Sequence, residues 1–325
     1  MIKANFYTTD SNCNARCLLC PKMCIIKSGE LGFCMARINI DGILYSRNYF
    51  KVAAANIDPI EKKPLYHYKP GSKTFSIGAY GCNMRCNFCQ NHTISISDRL
   101  GEDIQPESII SSAQNYNCSS IAYTYTEPTV WYEFIHNMSL ISKSFNIKNI
   151  MVTNGNINPK PLQKLLPLID AANIDIKTFS DELYQSIGGS LKSTGNTIKS
   201  FFEAGTHIEI SSLIVPDMWN EYMFENMCEW LANINQFIPL HINRYFPAYK
   251  CTLSPTKNEM LTHFKNIADK YLKYVYIGNI DDENTSNTVC HECGETLIKR
   301  RRYNTKILLS ENKCLKCASN IPIHL

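Results

Sequence analysis

The stretch GCNMRCNFC, residues 81–89, places three cysteines, Cys82, Cys86 and Cys89, on one short loop. The loop directly follows an apolar run, TFSIGAY at residues 74–80, that is typical of a buried strand. A cubane [4Fe–4S] cluster usually takes four cysteine ligands, so three at this spacing would leave one iron open. An open coordination position is typical of a metal site that carries out chemistry. A three-ligand zinc site and unligated thiols are the alternatives.

Strand-like and helix-like segments alternate through residues 71–280, around the cysteine loop. The predicted strands lie near residues 74–80, 119–124, 149–153, 171–177, 206–215, 239–245 and 273–278. The predicted helices lie near residues 106–117, 129–145, 159–168, 191–204, 219–235 and 255–271. Strict alternation of strand and helix indicates βαβ units and a parallel sheet. We therefore predict an α/β fold with a partial (βα)6-type barrel, in which ligands bind at the C-terminal ends of the strands.

The composition of the 325-residue chain is that of a protein with a sizeable core. Hydrophobic residues make up 44% and charged residues 19%, which excludes a disordered or coiled-coil chain. A net charge of +4 is too small to imply a nucleic-acid partner by itself. The sequence shows neither an apolar run long enough to cross a bilayer nor a signal peptide, so we expect a cytoplasmic protein.

Residues 1–70 form a predicted N-terminal Cys-rich segment, which we expect to bind a metal. Its candidate ligands are Cys17, Cys20, Cys24 and Cys34. Zinc and a second iron–sulfur cluster are both compatible with four thiolates, and Cys13 could replace one of them. Unligated thiols are the alternative. A loop-rich segment that cannot build its own core would be stabilised by such a metal.

Residues 281–325 begin with a polar stretch, DDENTSN, and then carry two Cys-x-x-Cys knuckles, which predict a C-terminal metal ribbon. The four candidate ligands are Cys290, Cys293, Cys314 and Cys317. Two such knuckles suit a closed tetrahedral zinc site, and an auxiliary iron–sulfur cluster would use the same ligands. The basic run at residues 299–302 between them is either a solvated hairpin face or a clamp on nucleic acid or an acidic partner.

The central cysteine loop resembles the radical S-adenosylmethionine (SAM) signature, in which C-x-x-x-C-x-aromatic-C follows the first barrel strand. The resemblance implies that Cys82, Cys86 and Cys89 hold a [4Fe–4S] cluster whose open iron binds SAM. It also implies reductive cleavage of SAM to a 5′-deoxyadenosyl radical, which abstracts hydrogen from a substrate. Analogy with activating enzymes suggests a macromolecular or bulky substrate.

Two residues resemble positions at which this family contacts SAM. Phe88 matches an aromatic residue that packs near the adenine. Glu127, after the second predicted strand of the barrel, matches an acidic residue that clamps the methionine ammonium. Such a contact in a dry pocket is a strong charge-assisted hydrogen bond. The two glycines that usually precede this acid are replaced by Tyr125 and Thr126.

The ends of the next two predicted strands resemble the pyruvate formate-lyase activating enzyme branch of the family. They carry Asn154, in a Thr-Asn-Gly motif, and the pair Asp175 and Lys177. The resemblance places this pair close to SAM, where Lys177 could neutralise the SAM carboxylate while Asp175 orients the lysine. No catalytic side chain is assigned beyond the cluster ligands.

Taken over nearly its whole length, the sequence resembles the AmmeMemoRadiSam-system radical SAM enzymes. The matching motifs are CLLCPKMC at residues 17–24, DPIEKKPLYH at 58–67, PGS at 70–72, QN at 90–91, YVYIGN at 274–279 and the paired knuckles. The resemblance implies two partners, a Memo-like protein and an AMMECR1-like protein. An electron donor such as flavodoxin or ferredoxin would charge the cluster.

Two other functions are compatible with the sequence. A glycyl-radical-enzyme activating enzyme would share the Thr-Asn-Gly and Asp-x-Lys motifs, and a metal-ribbon binding protein with a catalytically silent barrel would explain the basic run. His67 could be a proton donor, but histidines outside a recognised site are more often structural. Asp58 and Glu61 are as compatible with salt bridges as with catalysis.

Overall fold

The computed structural model describes residues 1–280, 283–302 and 304–325, and it is built around one eight-stranded sheet. The strands are β1 (Ala54–Pro59), β2 (Lys73–Gly78), β3 (Cys118–Tyr123), β4 (Lys148–Thr153), β5 (Ala171–Asp175), β6 (His207–Ile214), β7 (Leu240–Arg244) and β8 (Val275–Gly278). Strands β2 to β8 are parallel and lie side by side in chain order. The predicted α/β fold with a parallel sheet is therefore confirmed, while the partial barrel stays a prediction.

Strand β1 lies inside the predicted N-terminal segment and was not predicted. It pairs antiparallel with β2 and forms one edge of the sheet. Its sequence, AANIDP, is short and polar, so it lacks the apolar run that marks the buried parallel strands. The large sheet therefore begins before residue 70.

Six longer helices connect the parallel strands, as the alternation predicted. They are α1 (Pro106–Asn115), α2 (Tyr132–Ser144), α3 (Pro159–Leu165), α4 (Leu191–Glu203), α5 (Glu221–Asn235) and α6 (Asn258–Ala268). Two short helices, His92–Ser95 and Asp181–Ser186, follow the cysteine loop and β5. Short polar side chains cap the N-termini of several of these helices. At the start of α5, for example, Oδ1 of Asn220 accepts a hydrogen bond from the backbone N–H of Met223.

Both faces of the sheet are buried, which is why its strands are almost continuously apolar. Ile121 and Ile210 are fully buried in the main core, which the helices share. On the other face, Ala122 and Ala171 pack in a separate cluster with Leu65. The segment between β1 and β2 therefore covers part of the face opposite the main core.

The N-terminal segment adds two small antiparallel sheets. One contains Ile2–Lys3, Arg37–Ile40 and Ile43–Ser46, and the other contains Tyr7–Thr9, Ala15–Cys17 and Ile25–Ile26. A two-stranded pair joins Lys51–Val52 to Glu102–Asp103. Cys17, Cys20 and Cys24 lie on or between the strands of the second small sheet, and Cys34 lies between that sheet and the strand Arg37–Ile40.

The C-terminal segment contains three short antiparallel strands, Thr288–Val289, Thr296–Arg301 and Asn304–Ile307. Leu297 and Ile298 of the middle strand share a hydrophobic cluster with Tyr274 and Tyr276 at the edge of the large sheet. The predicted start of this segment, at residue 281, lies outside the described residues. Across the described parts of the chain, no helix is long and apolar enough to cross a membrane.

Candidate active site

The three central cysteines lie at the C-terminal edge of the parallel sheet, as predicted. The loop that carries them follows β2 and lines a cavity of about 570 Å³. The cavity is also lined by the five predicted SAM residues, which are Phe88, Glu127, Asn154, Asp175 and Lys177. The structure thus brings together side chains from the ends of four strands, and the volume is that of a small-molecule site.

The sulfur atoms of the loop do not form one compact group. Among the described residues, no three thiols of this loop lie within 4.8 Å of one another, although all three line the same cavity. Ligands of one metal ion must crowd together, whereas thiolates of a cubane cluster bind different irons and lie farther apart. The three thiols of the loop therefore do not form the compact set that a single ion requires.

Glu127 is buried and held in one orientation by hydrogen bonds. The backbone N–H of Thr129 and the hydroxyl of Thr153 donate to Oε1 over 2.9 and 2.7 Å, and the backbone N–H of Asn154 donates to Oε2 over 2.8 Å. Burial raises the pKa of Glu127, and the hydrogen bonds oppose that shift. A carboxylate has about four acceptor positions, so Glu127 can still accept from an ammonium group in the cavity.

Asp175 and Lys177 form an ion pair at the end of β5, with Nζ of Lys177 2.8 Å from Oδ2 of Asp175. Burial by itself would lower the pKa of Lys177. The negative charges of Asp175 and Cys86 raise the pKa by more than burial lowers it, so the net pKa is above its ordinary value. The lysine is therefore a permanent cation beside the cysteine loop, where an anionic group could bind it.

Asn154 and Phe88 connect the cavity wall to the cysteine loop. The side-chain amide of Asn154 donates to Oδ1 of Asn83 over 2.9 Å, and its nitrogen lies 3.9 Å from the sulfur of Cys82. Phe88 is buried in an apolar cluster that includes Met84 and still lines the cavity. These contacts fix the shape of the loop around its three thiols.

One wall of the cavity was missed by the sequence analysis, because it comes from the segment between β1 and β2. Lys62 and Lys63 line the cavity, and their Nζ atoms lie 2.9 and 2.8 Å from the carboxylate of Asp58. Both hydrogen bonds lower the pKa of Asp58, although burial alone would raise it. Tyr125, with a φ of 68°, donates its hydroxyl to Asp58 over 2.8 Å. The sequence feature that could have indicated this wall is the pair of adjacent lysines that precedes the buried strand β2.

His67 does not line the cavity. Its Nδ1 is 3.0 Å from the carbonyl oxygen of Pro322, and its Nε2 is 2.6 Å from the hydroxyl of Tyr276. Burial lowers the pKa of His67 to about 4. The histidine joins the C-terminal segment to the sheet.

The basic run is divided between interior and surface. Lys299, Arg301 and Arg302 are exposed, but Arg300 is buried and donates to the carbonyl oxygen of Tyr66 over 2.6 Å. Glu61 lies 3.7 Å from Arg300. Arg300 thus docks the ribbon on the sheet, which neither interpretation of the basic run anticipated.

The C-terminal cysteines form a compact set, as predicted. The four sulfurs of Cys290, Cys293, Cys314 and Cys317 lie within 4.8 Å of one another. Two of the separations, Cys290 to Cys317 and Cys293 to Cys314, are 3.6 Å. Ligands at about 2.3 Å from one tetrahedral zinc ion would be about 3.8 Å apart, so the set fits a single ion.

The N-terminal cysteines are arranged differently. Cys17, Cys20, Cys24 and Cys34 line one small pocket beside the central loop. In the first 70 residues, all of which are described, no three of these thiols lie within 4.8 Å of one another. Cys13 is exposed and does not line the pocket.

Sequence comparisons relate this chain to known proteins. The sequence model of the radical SAM superfamily matches residues 76–231. An uncharacterized protein of Methanocaldococcus jannaschii is 41% identical over the whole of both chains. A second protein of that organism, provisionally named a glycyl-radical enzyme activating enzyme, is 24% identical over 65% of this chain and 91% of its own length.

A solved structure shares the fold. SuiB of Streptococcus suis, in a crystal structure with S-adenosylmethionine bound, aligns with a TM-score of 0.51 and 16% identity. The alignment covers 65% of this chain and 50% of SuiB. At that identity the similarity is one of fold alone.

Proposed function

Because the chain belongs to the radical SAM superfamily, we propose that Cys82, Cys86 and Cys89 hold a [4Fe–4S] cluster and that the protein binds SAM beside it. The cavity at the C-terminal edge of the sheet carries this proposal, since all three thiols and five polar or aromatic SAM contacts line it. When bound, the reduced cluster supplies the electron that cleaves SAM to a 5′-deoxyadenosyl radical, which takes hydrogen from the substrate.

The side chains of the cavity have distinct roles in binding SAM. Glu127, fixed by its three hydrogen bonds, would accept from the methionine ammonium. Lys177, held by Asp175, would pair with the SAM carboxylate. Phe88 and Asn154 would contact the rest of the cofactor. Such preorganised contacts would hold bound SAM in one orientation beside the cysteine loop.

The test is SAM cleavage by the anaerobically reconstituted protein with dithionite. We expect 5′-deoxyadenosine from the wild type and none above background from Cys86→Ala, because the two remaining thiolates leave a second iron of the cluster without a cysteine ligand. Cys13→Ala is the matched control, since Cys13 is exposed and outside both cysteine-lined pockets. Equal cleavage by Cys86→Ala and the wild type would refute the proposal.

The motifs along the whole chain support a place in the AmmeMemoRadiSam system. We propose a Memo-like protein and an AMMECR1-like protein as partners, with flavodoxin or ferredoxin as electron donor. Co-elution of the purified proteins of one genome in size-exclusion chromatography is expected. Separate elution at micromolar concentrations, with and without SAM, would contradict a stable complex.

Activation of a glycyl-radical enzyme is a second candidate function. It is favoured by the 24% identical relative that carries this provisional name and by the Asp175 and Lys177 pair. Incubation with a glycyl-radical enzyme, SAM and dithionite would then give a glycyl-radical EPR signal on that partner. Absence of the signal while 5′-deoxyadenosine still forms would exclude this function for the partner tested.

The C-terminal ribbon, residues 281–325, is proposed as a zinc domain. The 3.6 Å sulfur separations support one tetrahedral ion. Four protein ligands leave no open position, so the site is structural. Metal analysis should find one zinc per chain, lost in Cys314→Ala and retained in Cys118→Ala. Iron in place of zinc after aerobic purification would identify an auxiliary cluster instead.

A further inference from the structure

The pocket lined by the N-terminal cysteines contains a buried cation with unused hydrogen-bond donors. Arg37, on the strand Arg37–Ile40, is 2% exposed and lines the pocket with Cys17, Cys20, Cys24 and Cys34. Its Nη1 donates to Glu133 over 2.7 Å. Its Nε and Nη2 have no hydrogen-bond partner. Buried N–H groups without partners are costly, so these two donors indicate an anionic group in the pocket.

A comparison of the three cysteine sets bears on whether the N-terminal pocket would hold a single metal ion or a metal cluster. The C-terminal sulfurs lie within 4.8 Å of one another, as ligands of one ion must. Neither the central loop nor the N-terminal set, both fully described, brings three thiols that close. The N-terminal set thus lacks the compact arrangement of the C-terminal set, although its four thiols line one pocket.

We propose that Cys17, Cys20, Cys24 and Cys34 bind a second [4Fe–4S] cluster, to which the free N–H groups of Arg37 donate. Thiolates on four different irons would be spaced more widely than ligands of a single zinc ion. Inorganic sulfide would provide the acceptors that Arg37 lacks. Because all four irons have a cysteine, this cluster has no position for SAM and is suited to structure or to one-electron transfer.

The pocket is built directly against the central loop. Asn83, the residue after Cys82, lines the N-terminal pocket, while Cys82 lines the large cavity. Gly81 has a φ of 106°, and a Cβ there would lie 2.4 Å from the carbonyl oxygen of Cys34. Only glycine allows this approach. The second cluster would thus lie beside the loop that carries the first.

The test counts metals in a full-length variant that lacks the central ligands, Cys82→Ala/Cys86→Ala/Cys89→Ala. After anaerobic reconstitution we expect about four iron and four sulfide per chain, with the Mössbauer spectrum of a [4Fe–4S] cluster. Adding Cys20→Ala/Cys34→Ala, which leaves only two of the four thiols, should remove this iron, whereas adding Cys13→Ala should leave it. Because the variant cannot bind the SAM cluster, the result is independent of whether the protein cleaves SAM.

Other metal contents would overturn the proposal. Two zinc ions per chain and no iron would show a second zinc site, and no metal beyond that of the C-terminal ribbon would show unligated thiols. A chain that fails to fold is identified by its circular dichroism, and the wild type then decides: about eight iron and eight sulfide per chain together with one zinc support a second, N-terminal cluster, and about four iron and four sulfide refute it.

The role of Arg37 is tested by Arg37→Lys, which keeps a cation for Glu133 but removes the two unused donors. Hydrogen bonds to cluster sulfurs raise the reduction potential, so we expect a more negative midpoint potential for the cluster in the variant without central ligands. Arg16→Lys is the matched control, because Arg16 is exposed on a neighbouring strand. An unchanged potential in Arg37→Lys would show that Arg37 does not contact the cluster.

Discussion

Two buried carboxylates at opposite edges of the sheet differ in how fully they are satisfied. Near the N-terminal edge, Glu209 of β6 accepts from the backbone N–H groups of Tyr66 and His67 over 2.9 and 2.7 Å. Its oxygens also lie 2.9 and 2.7 Å from Nε2 of His207 and His241. Four donors use its full acceptor capacity.

At the C-terminal edge, Glu127 has three protein donors and faces a cavity. The pKa values of the two carboxyl groups are shifted in opposite directions. Hydrogen bonds from the two histidines hold the pKa of Glu209 below its ordinary value despite burial, whereas burial prevails at Glu127 and raises its pKa. A saturated buried carboxylate holds the fold together, and an incompletely saturated one beside a cavity can bind a ligand.

Glu209→Ala should have the largest effect on stability. It leaves two histidines and two backbone N–H groups buried without an acceptor, so the free energy of unfolding should fall by about 3–5 kcal/mol. Chemical denaturation of the anaerobically prepared protein measures it. Glu229→Ala, an exposed change on α5, should stay within about 0.5 kcal/mol of wild type. Similar unfolding free energies for Glu209→Ala and Glu229→Ala would show that the saturated carboxylate does not stabilise the fold.

Glu127→Gln should change SAM binding more than stability. Without the negative charge, the ammonium loses a charge-assisted hydrogen bond, and we expect about 10- to 100-fold weaker SAM binding, equivalent to about 1.4–2.7 kcal/mol. Isothermal titration with the reconstituted protein measures the affinity. Glu182→Gln, on an exposed position of a short helix, is the control. An unchanged affinity in Glu127→Gln would remove Glu127 from the SAM site.

The smallest expected effect is the contribution of His67, near the N-terminal edge of the sheet, to the pH dependence of the unfolding free energy. Burial lowers the pKa of His67 from 6.5 to about 4, so below pH 6.5 the unfolded chain takes up a proton that the folded chain does not. Stability conferred by neutral His67 is therefore lost as pH falls from about 6.5 toward 4.

Between pH 7.5 and 5.5, the unfolding free energy of wild type should fall more steeply than that of His67→Gln, by up to about 1 kcal/mol per pH unit. His263→Gln, which removes an exposed histidine, should keep the wild-type slope. Equal slopes for His67→Gln and wild type would show that His67 titrates normally.

The sequence predicts features that depend on residues close together in the chain, and it does not predict contacts between segments that are far apart in the chain. The alternation of β2 to β8 with helices was predictable because a buried parallel strand is a local apolar run. Strand β1 was missed because it is held by pairing with β2 rather than by its own pattern. Arg300 looked like part of a charged surface run, but docking of the ribbon buries it.

The sequence alone determined the parallel α/β fold, the central cysteine loop and the compact C-terminal cysteine set, since these depend on residue type and short spacing. Only the tertiary structure decided which distant segments meet. It placed Lys62 and Lys63 on the cavity wall and Arg37 against the N-terminal cysteines. It also showed that, of the three cysteine sets among the described residues, the C-terminal one has its thiols within 4.8 Å of one another. The physical reason is that motif spacing limits how a loop can fold, whereas distances between thiols and charges from different segments depend on packing.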